Sequence, residues 1–303
     1  MKKLSVSAVL VTYNRLNLLK ESIQKILNQD TDTLQHLIII DGASTDGTRE
    51  YLDGLSDQRV MVVHLAENIG GAGGFNSGIR HFFEQTHDDL VWLMDDDSMP
   101  TVNALAQLLD MFDNNQLAGW AASKVEWTDG NWSKMNIPGL LNGSKLALYQ
   151  GDEKWLPIRH ATFVSTIFKR ELIKKIGLPQ KEYFIWGDDI EYTERASRAM
   201  SGYLVRQSIV IHASQFNSDP GDIVGEGMIS RLPRYLFEYR NRLLTARRRH
   251  SSWKFMKTLG HSMLDFLKTL FFPGVQYRGQ KLKIIVQGTI NGFKFNPSIE
   301  TLR

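Results

Sequence analysis

The sequence contains no cysteine, and this absence excludes disulfide bonds, thiolate metal sites and a cysteine nucleophile. No run of 18 apolar residues occurs either, so no segment is predicted to cross a membrane as a helix. The net charge of +3 is too small to indicate a partner, and nothing resembles a groove-reading motif, so we expect no nucleic-acid partner. The basic start Met1-Lys2-Lys3 is not followed by a signal-peptide cleavage pattern, and we expect a cytoplasmic location.

The composition is that of a globular protein. Of the 303 residues, 42% are hydrophobic and 23% are charged, which allows one large or two medium domains with a sizeable core. Beyond Gly227 basic residues and helical periodicity dominate the sequence. We therefore divide the chain into a first domain, residues 1–226, and a helical C-terminal region, residues 227–303.

Apolar runs that predict strands alternate with segments whose apolar residues have helical spacing. This alternation predicts an α/β fold with a Rossmann-like, mostly parallel sheet flanked by helices. The stretch 126–159 lacks periodicity and is expected to be irregular. The predicted strands are 5–11, 37–40, 60–65, 90–94, 118–125, 162–168 and 203–211, and the predicted helices are 16–27, 48–55, 76–83, 101–112, 170–176 and 188–200.

A buried apolar strand leads directly into three acids, Asp95, Asp96 and Asp97. Three such carboxylates repel one another by about 4 kcal/mol per pair at 4 Å if the effective dielectric constant is near 20. A divalent cation with a polyphosphate ligand relieves this repulsion, because Mg²⁺ and Mn²⁺ prefer carboxylate and phosphate oxygens. The alternative is a polar turn in which Asp97 or Ser98 caps a helix that starts near Pro100.

A second acidic cluster, Asp188 and Asp189, follows the aromatic run from Tyr183 to Trp186. Acids are favoured at helix N-termini, so helix capping explains one of the two. It does not explain a pair behind an aromatic run. His212 stands where a later strand ends, and a lone histidine in such a place is more often structural than a ligand.

Polar or glycine-rich segments follow the first three predicted strands. The carboxyl ends of parallel strands share one edge of a sheet, where ligands bind in open α/β folds. These segments are therefore expected to line one crevice. They are Thr12-Tyr13-Asn14-Arg15, Asp41 with 42–48, and 68–76, which includes Asn68, Gly71, Gly73 and Gly74.

Trp127, Trp132 and Trp155 lie in the stretch without periodicity. Aromatic side chains in irregular segments either stack on sugar rings or anchor the loop to the core, and the sequence favours anchoring slightly.

Residues 231–257 hold nine Lys or Arg and one acid, Glu238. A second amphipathic pattern follows, with Trp253 at its start and Phe271-Phe272 at its end. Such a basic amphipathic region predicts contact with a membrane surface that carries anionic lipid. An ordinary helical subdomain with arginines facing solvent is the alternative.

Together these motifs resemble glycosyltransferase family 2, which has the GT-A fold, and in particular its galactofuranosyltransferase and rhamnosyltransferase branch. The resemblance runs from Ser5 to His212. It implies that Asp95, Asp97 and His212 bind Mn²⁺ or Mg²⁺ and that Asp189, beside Asp188, is the catalytic base. It also implies contacts with the nucleotide sugar by Thr12, Tyr13, Asn14, Arg15, Asp41, Asn68, Gly71, Gly73, Gly74 and Asp96, and acceptor contacts by Trp186 and Trp132.

The activity implied by this resemblance is inverting transfer of galactofuranose from UDP-galactofuranose. The implied acceptor is a polyprenyl-diphosphate-linked glycan at the inner face of a bacterial cell membrane, in surface polysaccharide synthesis. Gly187 separates Trp186 from the acid pair, unlike the branch pattern, and this weakens the acceptor contact of Trp186. The alternatives are a dTDP-rhamnose donor, a nucleotidylyltransferase and a non-catalytic membrane scaffold. The oligomeric state stays open.

Overall fold

The computed structural model describes residues 3–141, 146–217, 219 and 221–302. Its first half is a parallel sheet in which β1 (Val6–Thr12) lies between β2 (Leu34–Asp41) and β4 (Leu90–Asp95), with β3 (Val60–His64) beyond β2. Most side chains of β1, β2 and β4 are buried, because both faces of a parallel sheet are covered by helices. The predicted α/β arrangement is confirmed here.

The helices that connect these strands are α1 (Leu16–Leu27), α2 (Thr48–Asp53) and α3 (Gly70–Gln85). On α1, the apolar spacing seen in the sequence places Leu19, Ile23 and Ile26 in the core. Two hydrophobic clusters result, one on each face of the sheet.

The second half of the sheet is mixed, not parallel throughout. β9 (Thr166–Lys169) runs antiparallel between β4 and β6 (Ala118–Trp127), and β10 (Ser201–His212) runs parallel to β6. β8 (Trp155–His160) and β7 (Gly139–Leu140) extend the sheet antiparallel beyond β10. Both lie in the stretch that the sequence predicted to be irregular, because their short segments lack a clear alternation.

The three-residue strand β5 (Ser98–Pro100) pairs antiparallel with β10. The helix expected to start near Pro100 is α4 (Ala104–Asn114) and therefore begins later. The alternative in which Asp97 or Ser98 caps that helix is wrong, because the backbone at Ser98 is committed to the sheet. The remaining helices of this half are α5 (Leu146–Gln150), α6 (Arg170–Ile176) and α7 (Asp188–Ala199).

Three helices form the C-terminal region: α8 (Arg234–Arg248), α9 (Ser252–Phe271) and α10 (Arg278–Lys294). Tyr239, Leu243 and Leu244 of α8 are fully buried. Among the described residues, no helix is both long and apolar enough to cross a membrane.

Candidate active site

The strand register brings the predicted acids to one edge of the sheet. Thr12 pairs with Asp41 across β1 and β2, and Val11 pairs with Asp95 across β1 and β4. On the other side, β5 turns back onto β10 so that Ser98 lies opposite His212. The sheet therefore carries residues from four distant parts of the chain to the end of β4.

Asp96 and Asp97 are buried, and their carboxylates have defined partners. The Thr12 hydroxyl donates to Asp96 at 2.8 Å, and Nη1 of Arg15 donates to Asp96 at 3.1 Å and also to Asp97. Arg15, which the resemblance assigned to the nucleotide sugar, thus lies against the acids and supplies positive charge beside them.

Asp97 and His212 face each other. Nε2 of His212 lies 3.3 Å from Oδ1 of Asp97, and the amide of Ala213 donates to the Asp97 carbonyl at 2.8 Å. Oδ1 is buried and has no hydrogen-bond partner among the described residues. On the far side of the ring, the Ser133 hydroxyl lies 3.5 Å from Nδ1 of His212 and helps to hold the orientation of the imidazole.

Asp97 and His212 supply two of the donor atoms that a divalent cation needs. In the described part of the chain, no three His, Asp or Glu side chains are already gathered closely enough to hold a metal ion. However, a buried carboxylate oxygen that makes no hydrogen bond to any described residue and lies 3.3 Å from an imidazole nitrogen forms a donor pair that suits Mn²⁺ or Mg²⁺. Asp95, at the end of β4, would be the third ligand beside Asp97 and His212.

The three neighbouring acids have different proton affinities. Burial, followed by the charges of Asp97 and Asp96, raises the pKa of Asp95 to about 7. Burial also raises the pKa of Asp96 to about 6, although Arg15 opposes this. Burial alone would raise the pKa of Asp97, but the contact with His212 and the charge of Arg15 hold it below its usual value. Asp97 is therefore the carboxylate best prepared to stay ionised.

The acid pair forms the first turn of α7. Burial, together with the charges of Asp189 and Asp95, raises the pKa of Asp188 well above its usual value. Burial raises the pKa of Asp189 to about 6, and the charge of Glu238 on α8 adds to the effect. Asp188 thus interacts with the triple-acid turn, whereas Asp189 interacts with α8.

A strained turn precedes the acid pair. Phe184 has φ 64° and ψ −59°, and the amide of Ile185 donates to the Tyr183 carbonyl at 2.7 Å, which defines a γ-turn of a rare, strained kind. Trp186 also has a positive φ of 64°. Strain of this kind persists only where the surroundings enforce it.

Asn241 of α8 enforces that turn. Its buried side-chain amide donates to the carbonyls of Tyr183, Ile185 and Trp186 at 3.0, 3.0 and 2.9 Å. On the other side, the amide of Ala72 donates to the Phe184 carbonyl at 3.2 Å. The turn that carries the acid pair is therefore held by both α3 and the C-terminal region.

The glycine-rich segment is the first turns of α3, not a loop. A Cβ at Gly73 would lie 2.6 Å from Ile69, and one at Gly74 would lie 2.4 Å from Val11. Gly74 therefore permits the helix to pack on Val11 of β1, and Gly73 leaves room for the Ile69 side chain at the start of the helix. Gly71 has open space around it, and Asn68 accepts a hydrogen bond from the Gly70 amide at 2.8 Å.

The two polar loops after β1 and β2 are linked to each other. The Asn14 amide donates to the Ser44 hydroxyl at 2.9 Å, and the Asn14 side chain accepts from the Thr45 amide at 2.7 Å. Asp41 is almost fully buried and accepts from the Ser44 amide at 3.0 Å, while Nδ1 of His64 lies 2.9 Å from its other oxygen. Asp41 therefore helps to fix the conformation of these two loops. Tyr13 is 45% exposed and is accessible to a ligand.

A pocket of about 350 Å³ opens beside the acid pair. Its walls come from the start of α7, from α8 and from α9. Trp186, which the resemblance assigned to the acceptor, is one of its lining residues. The lining residues are Trp186, Gly187, Ile190, Glu238, Arg242, Thr245, Arg249, Thr258 and His261.

Trp132 is placed differently. Its ring packs on the core, 5.9 Å from the Tyr149 ring and 5.4 Å from the Lys124 ammonium, and it does not line the pocket. This is the anchoring role that the sequence slightly favoured.

The sequence did not point to Asn241 or to the α8 residues of the pocket. A signal existed, because Glu238, Arg242, Thr245 and Arg249 recur at spacings of three or four and form a polar stripe along α8. Other arginines of α8 also point inward. Arg240 donates to the Tyr183 carbonyl, Arg247 to the Phe295 carbonyl and Arg248 to Gln180. Arg249, directly after α8 in the pocket, donates to Glu194. The basic character of α8 is therefore explained by contacts within the protein.

The family can now be stated. A family model described as Glycosyl transferase family 2 matches residues 7–177, more than half of the chain. The chain belongs to glycosyltransferase family 2. Galactofuranosyltransferase GlfT1 of Mycobacterium tuberculosis is 32% identical over 206 residues, which are 64% of this chain and 65% of that protein. The match thus spans just under two thirds of the relative's length.

Solved structures of other glycosyltransferases have the same fold. Staphylococcus aureus TarS 1-349 in complex with UDP-GlcNAc matches 94% of this chain and 81% of its own with a TM-score of 0.61 and 15% identity. The mannosyltransferase PcManGT of Pyrobaculum calidifontis, in complex with GDP-Man and Mn²⁺, matches 98% of this chain and 77% of its own with a TM-score of 0.55 and 16% identity. At these identities the likeness establishes the fold, and the predicted GT-A fold is confirmed. A nucleotidylyltransferase or a non-catalytic scaffold is not supported.

Proposed function

We propose that this glycosyltransferase moves a sugar from a nucleotide-sugar donor to a hydroxyl of a lipid-linked glycan, with inversion at the anomeric carbon. The setting we propose is bacterial surface polysaccharide synthesis at the cytoplasmic face of the membrane. The observation that carries this proposal is the environment of the acid pair at the start of α7. The charge of Asp95 contributes to the raised pKa of Asp188, and the charge of Glu238, which lines the pocket, contributes to the raised pKa of Asp189.

This arrangement supports separate roles for the triple-acid turn and the acid pair. The donor would lie at the triple-acid turn, where Asp95, Asp97 and His212 would hold Mn²⁺ or Mg²⁺. When bound, the cation would neutralise charge on the departing nucleoside diphosphate. Asp189 would accept the proton of the acceptor hydroxyl as general base, since its raised pKa brings it near neutral pH.

The nucleotide would lie along the loops after β1 and β2. Thr12, Tyr13, Asn14 and the wall formed by Asp41 would contact the base and ribose, and Asp96 would lie against the sugar diphosphate. Arg15 would exchange its carboxylate partners for phosphate, which matches its guanidinium equally well. Asn68 and Gly71 would border the donor sugar, with Gly73 and Gly74 supporting the helix beneath.

UDP-galactofuranose is the proposed donor, in keeping with the motifs shared with galactofuranosyltransferases and with the name of the M. tuberculosis relative. A dTDP-rhamnose donor is the second candidate, because the glycine-rich segment resembles both. A donor screen with Mn²⁺ that measures nucleotide release tests this choice. UDP release from UDP-galactofuranose supports the proposal, and release from dTDP-rhamnose alone would replace the donor. Release from neither would contradict the proposal.

We also propose that α9 and α10 lie on an anionic membrane surface. On α9, Trp253, Met263 and Phe271 are 77%, 60% and 72% exposed, and on α10 Ile290 and Phe293 are 54% and 52% exposed. Exposed apolar patches of this kind mark interaction sites. Exposed lysines border them at positions 254, 257, 283 and 294, which complements anionic lipid.

Sedimentation with phosphatidylglycerol vesicles tests the membrane proposal. Removing the whole region after Gly227 would also remove Asn241, so substitutions are the cleaner test. The double variant Trp253→Glu with Phe271→Glu should stay in the supernatant, while Leu117→Glu, a substitution of an apolar side chain 83% exposed elsewhere, should sediment like the wild type. Equal sedimentation of all three would contradict the proposal.

A further inference from the structure

We propose that the pocket between the start of α7 and helices α8 and α9 binds a neutral sugar of the acceptor, and that any diphosphate of the acceptor lies outside it. This inference rests on the proposed transferase function and specifies the chemistry of its acceptor side.

The position of the pocket relates it to the base. Gly187 and Ile190 line the pocket on either side of Asp189 in the sequence, and Glu238 lines it from α8. Asp189 is not itself a lining residue, but it lies in the first turn of α7 between Gly187 and Ile190, which are. A sugar held in the pocket is therefore next to the turn that carries the proposed base.

The size and the lining suit a sugar. A volume of about 350 Å³ is at the small end for ligand sites, so the pocket suits a short stretch of glycan better than a whole glycolipid. The indole of Trp186 supplies an apolar wall and is held by an edge contact 5.1 Å from the Tyr235 ring. Hydroxyls of Thr245 and Thr258 and the ring of His261 supply polar groups on the other walls.

The charges in the pocket favour a neutral ligand. Arg242 is paired with Glu238 at 3.0 Å and with Asp265 at 3.3 Å. Arg249 makes two hydrogen bonds of 2.8 Å to Glu194. Both arginines are therefore already paired, with Glu238 in the lining and with Asp265 and Glu194 outside it, and neither is free to bind an incoming diphosphate.

Sugar hydroxyl groups are neutral and do not need a free cation in the pocket. Fixed guanidinium and carboxylate groups can donate to and accept from neutral hydroxyls without a net charge being desolvated. The paired arginines thus act as rigid hydrogen-bonding groups and not as an anion site. The pocket selects against charge while it offers both donors and acceptors to a glycan.

A single introduced thiol can test this, because the chain has no cysteine. In Thr258→Cys, the rate of thiol alkylation by iodoacetamide is measured with and without methyl β-galactofuranoside, methyl α-rhamnoside, methyl β-glucoside or inorganic pyrophosphate. At least one glycoside should slow alkylation, by about threefold at a concentration twice its Kd, since only free protein reacts. Pyrophosphate should not slow it.

Two further variants make the result decisive. His261→Cys places the thiol about one turn further along α9, on the same wall of the pocket, and should show the same protection. Gly260→Cys lies on the outward face of the same helix, with open space around it, and should be alkylated at one rate throughout. Protection by pyrophosphate, or protection by none of the glycosides in either pocket variant, would overturn the proposal.

The labelling is measured without donor or metal, so it is independent of the donor screen. Protection by a glycoside together with no nucleotide release from any donor would retain the pocket and remove the proposed function. Nucleotide release without protection by any glycoside would support the proposed function and contradict the sugar-binding role of the pocket.

Discussion

The two acidic clusters of the active site differ in what surrounds them. The triple-acid turn is supplied with positive partners, since Arg15 contacts Asp96 and Asp97, and His212 faces Asp97. The acid pair at the start of α7 instead has acidic neighbours, since the charge of Asp95 raises the pKa of Asp188 and the charge of Glu238 raises that of Asp189. This difference is the basis on which we propose different tasks, cation binding for the first cluster and proton transfer for the second.

The largest effect should come from Asp189→Asn. Removing a general base costs roughly 10²- to 10⁴-fold in rate, so kcat should fall by that amount while donor affinity stays within about twofold, because the proposed role of Asp189 is toward the acceptor hydroxyl and not toward the donor. Donor binding by calorimetry and transfer kinetics measure the two quantities. Asp113→Asn, exposed on α4, is the control and should leave both unchanged. A large loss of donor affinity would contradict the base assignment.

Acidification should reduce turnover next most strongly. The pKa of Asp189 is raised to about 6, so the carboxylate is ionised above pH 6 and becomes protonated below it. Its charged surroundings are Asp188 on α7, Glu238, Arg242 and Arg249 around the pocket, and His261 on α9. We expect kcat to fall about tenfold between pH 7 and pH 5, with donor binding measured at each pH as the control. If kcat did not change between pH 7 and pH 5, Asp189 would not be the general base.

Loosening the turn before the acid pair should have a smaller effect. Asn241→Ala removes hydrogen bonds to three carbonyls, each with a net contribution of about 1 kcal/mol, and should lower kcat about tenfold or less without changing donor affinity. Asn241→Asp has the same size but no amide donors, and should be at least as harmful.

Arg247→Gln is the matched control for Asn241. Arg247 also lies on α8 and also donates to backbone carbonyls, those of Gly292, Phe293 and Phe295, but it does not touch the turn. Its loss should lower the melting temperature and leave kcat nearly unchanged. If both variants lost kcat in proportion to their loss of stability, Asn241 would have no positioning role.

The smallest predicted effect is on stability, and its sign differs between the clusters. Burial and neighbouring acids raise the pKa of Asp188, so this acid destabilises the folded state at pH 7, where it is ionised in the unfolded chain. Asp188→Asn removes this cost and should raise the melting temperature at pH 7 by a few degrees, about 2–4 °C per kcal/mol. Asp97→Asn removes the partner of Arg15 and His212 and should lower it. Differential scanning calorimetry without added metal measures both melting temperatures. If both variants shifted the melting temperature in the same direction, the proposed electrostatic difference between the two clusters would be contradicted.

Much of the proposed donor site, which comprises the triple-acid turn and the loops after β1 and β2, could be predicted from the sequence. Parallel strands place their carboxyl ends together, so the order of Thr12, Asp41 and Asp95 along the chain was enough to predict a shared edge. The meeting of Asp97 with His212 followed from the family resemblance, but its physical cause is β5, a three-residue strand too short to leave a pattern.

The proposed acceptor site, which comprises the turn before α7 and the pocket against α8 and α9, could not be predicted in the same way. Asn241 donates to carbonyls of a turn more than 50 positions earlier in the chain, and backbone acceptors leave no trace in a sequence. The arginines of α8 looked like a membrane-facing charge because their partners, such as Glu194 and the Tyr183 carbonyl, lie on other elements. Periodicity identified the helix but not the direction in which its charges point.

Titration of Mn²⁺ into wild-type protein, Asp97→Asn and Asp189→Asn, followed by electron paramagnetic resonance in the presence of UDP, tests the central distinction most directly. Asp97→Asn should lose Mn²⁺ affinity by about tenfold or more, whereas Asp189→Asn should bind Mn²⁺ like the wild type. Equal losses in both variants, or a loss confined to Asp189→Asn, would contradict the assignment of the cation to the triple-acid turn and of the proton to the acid pair.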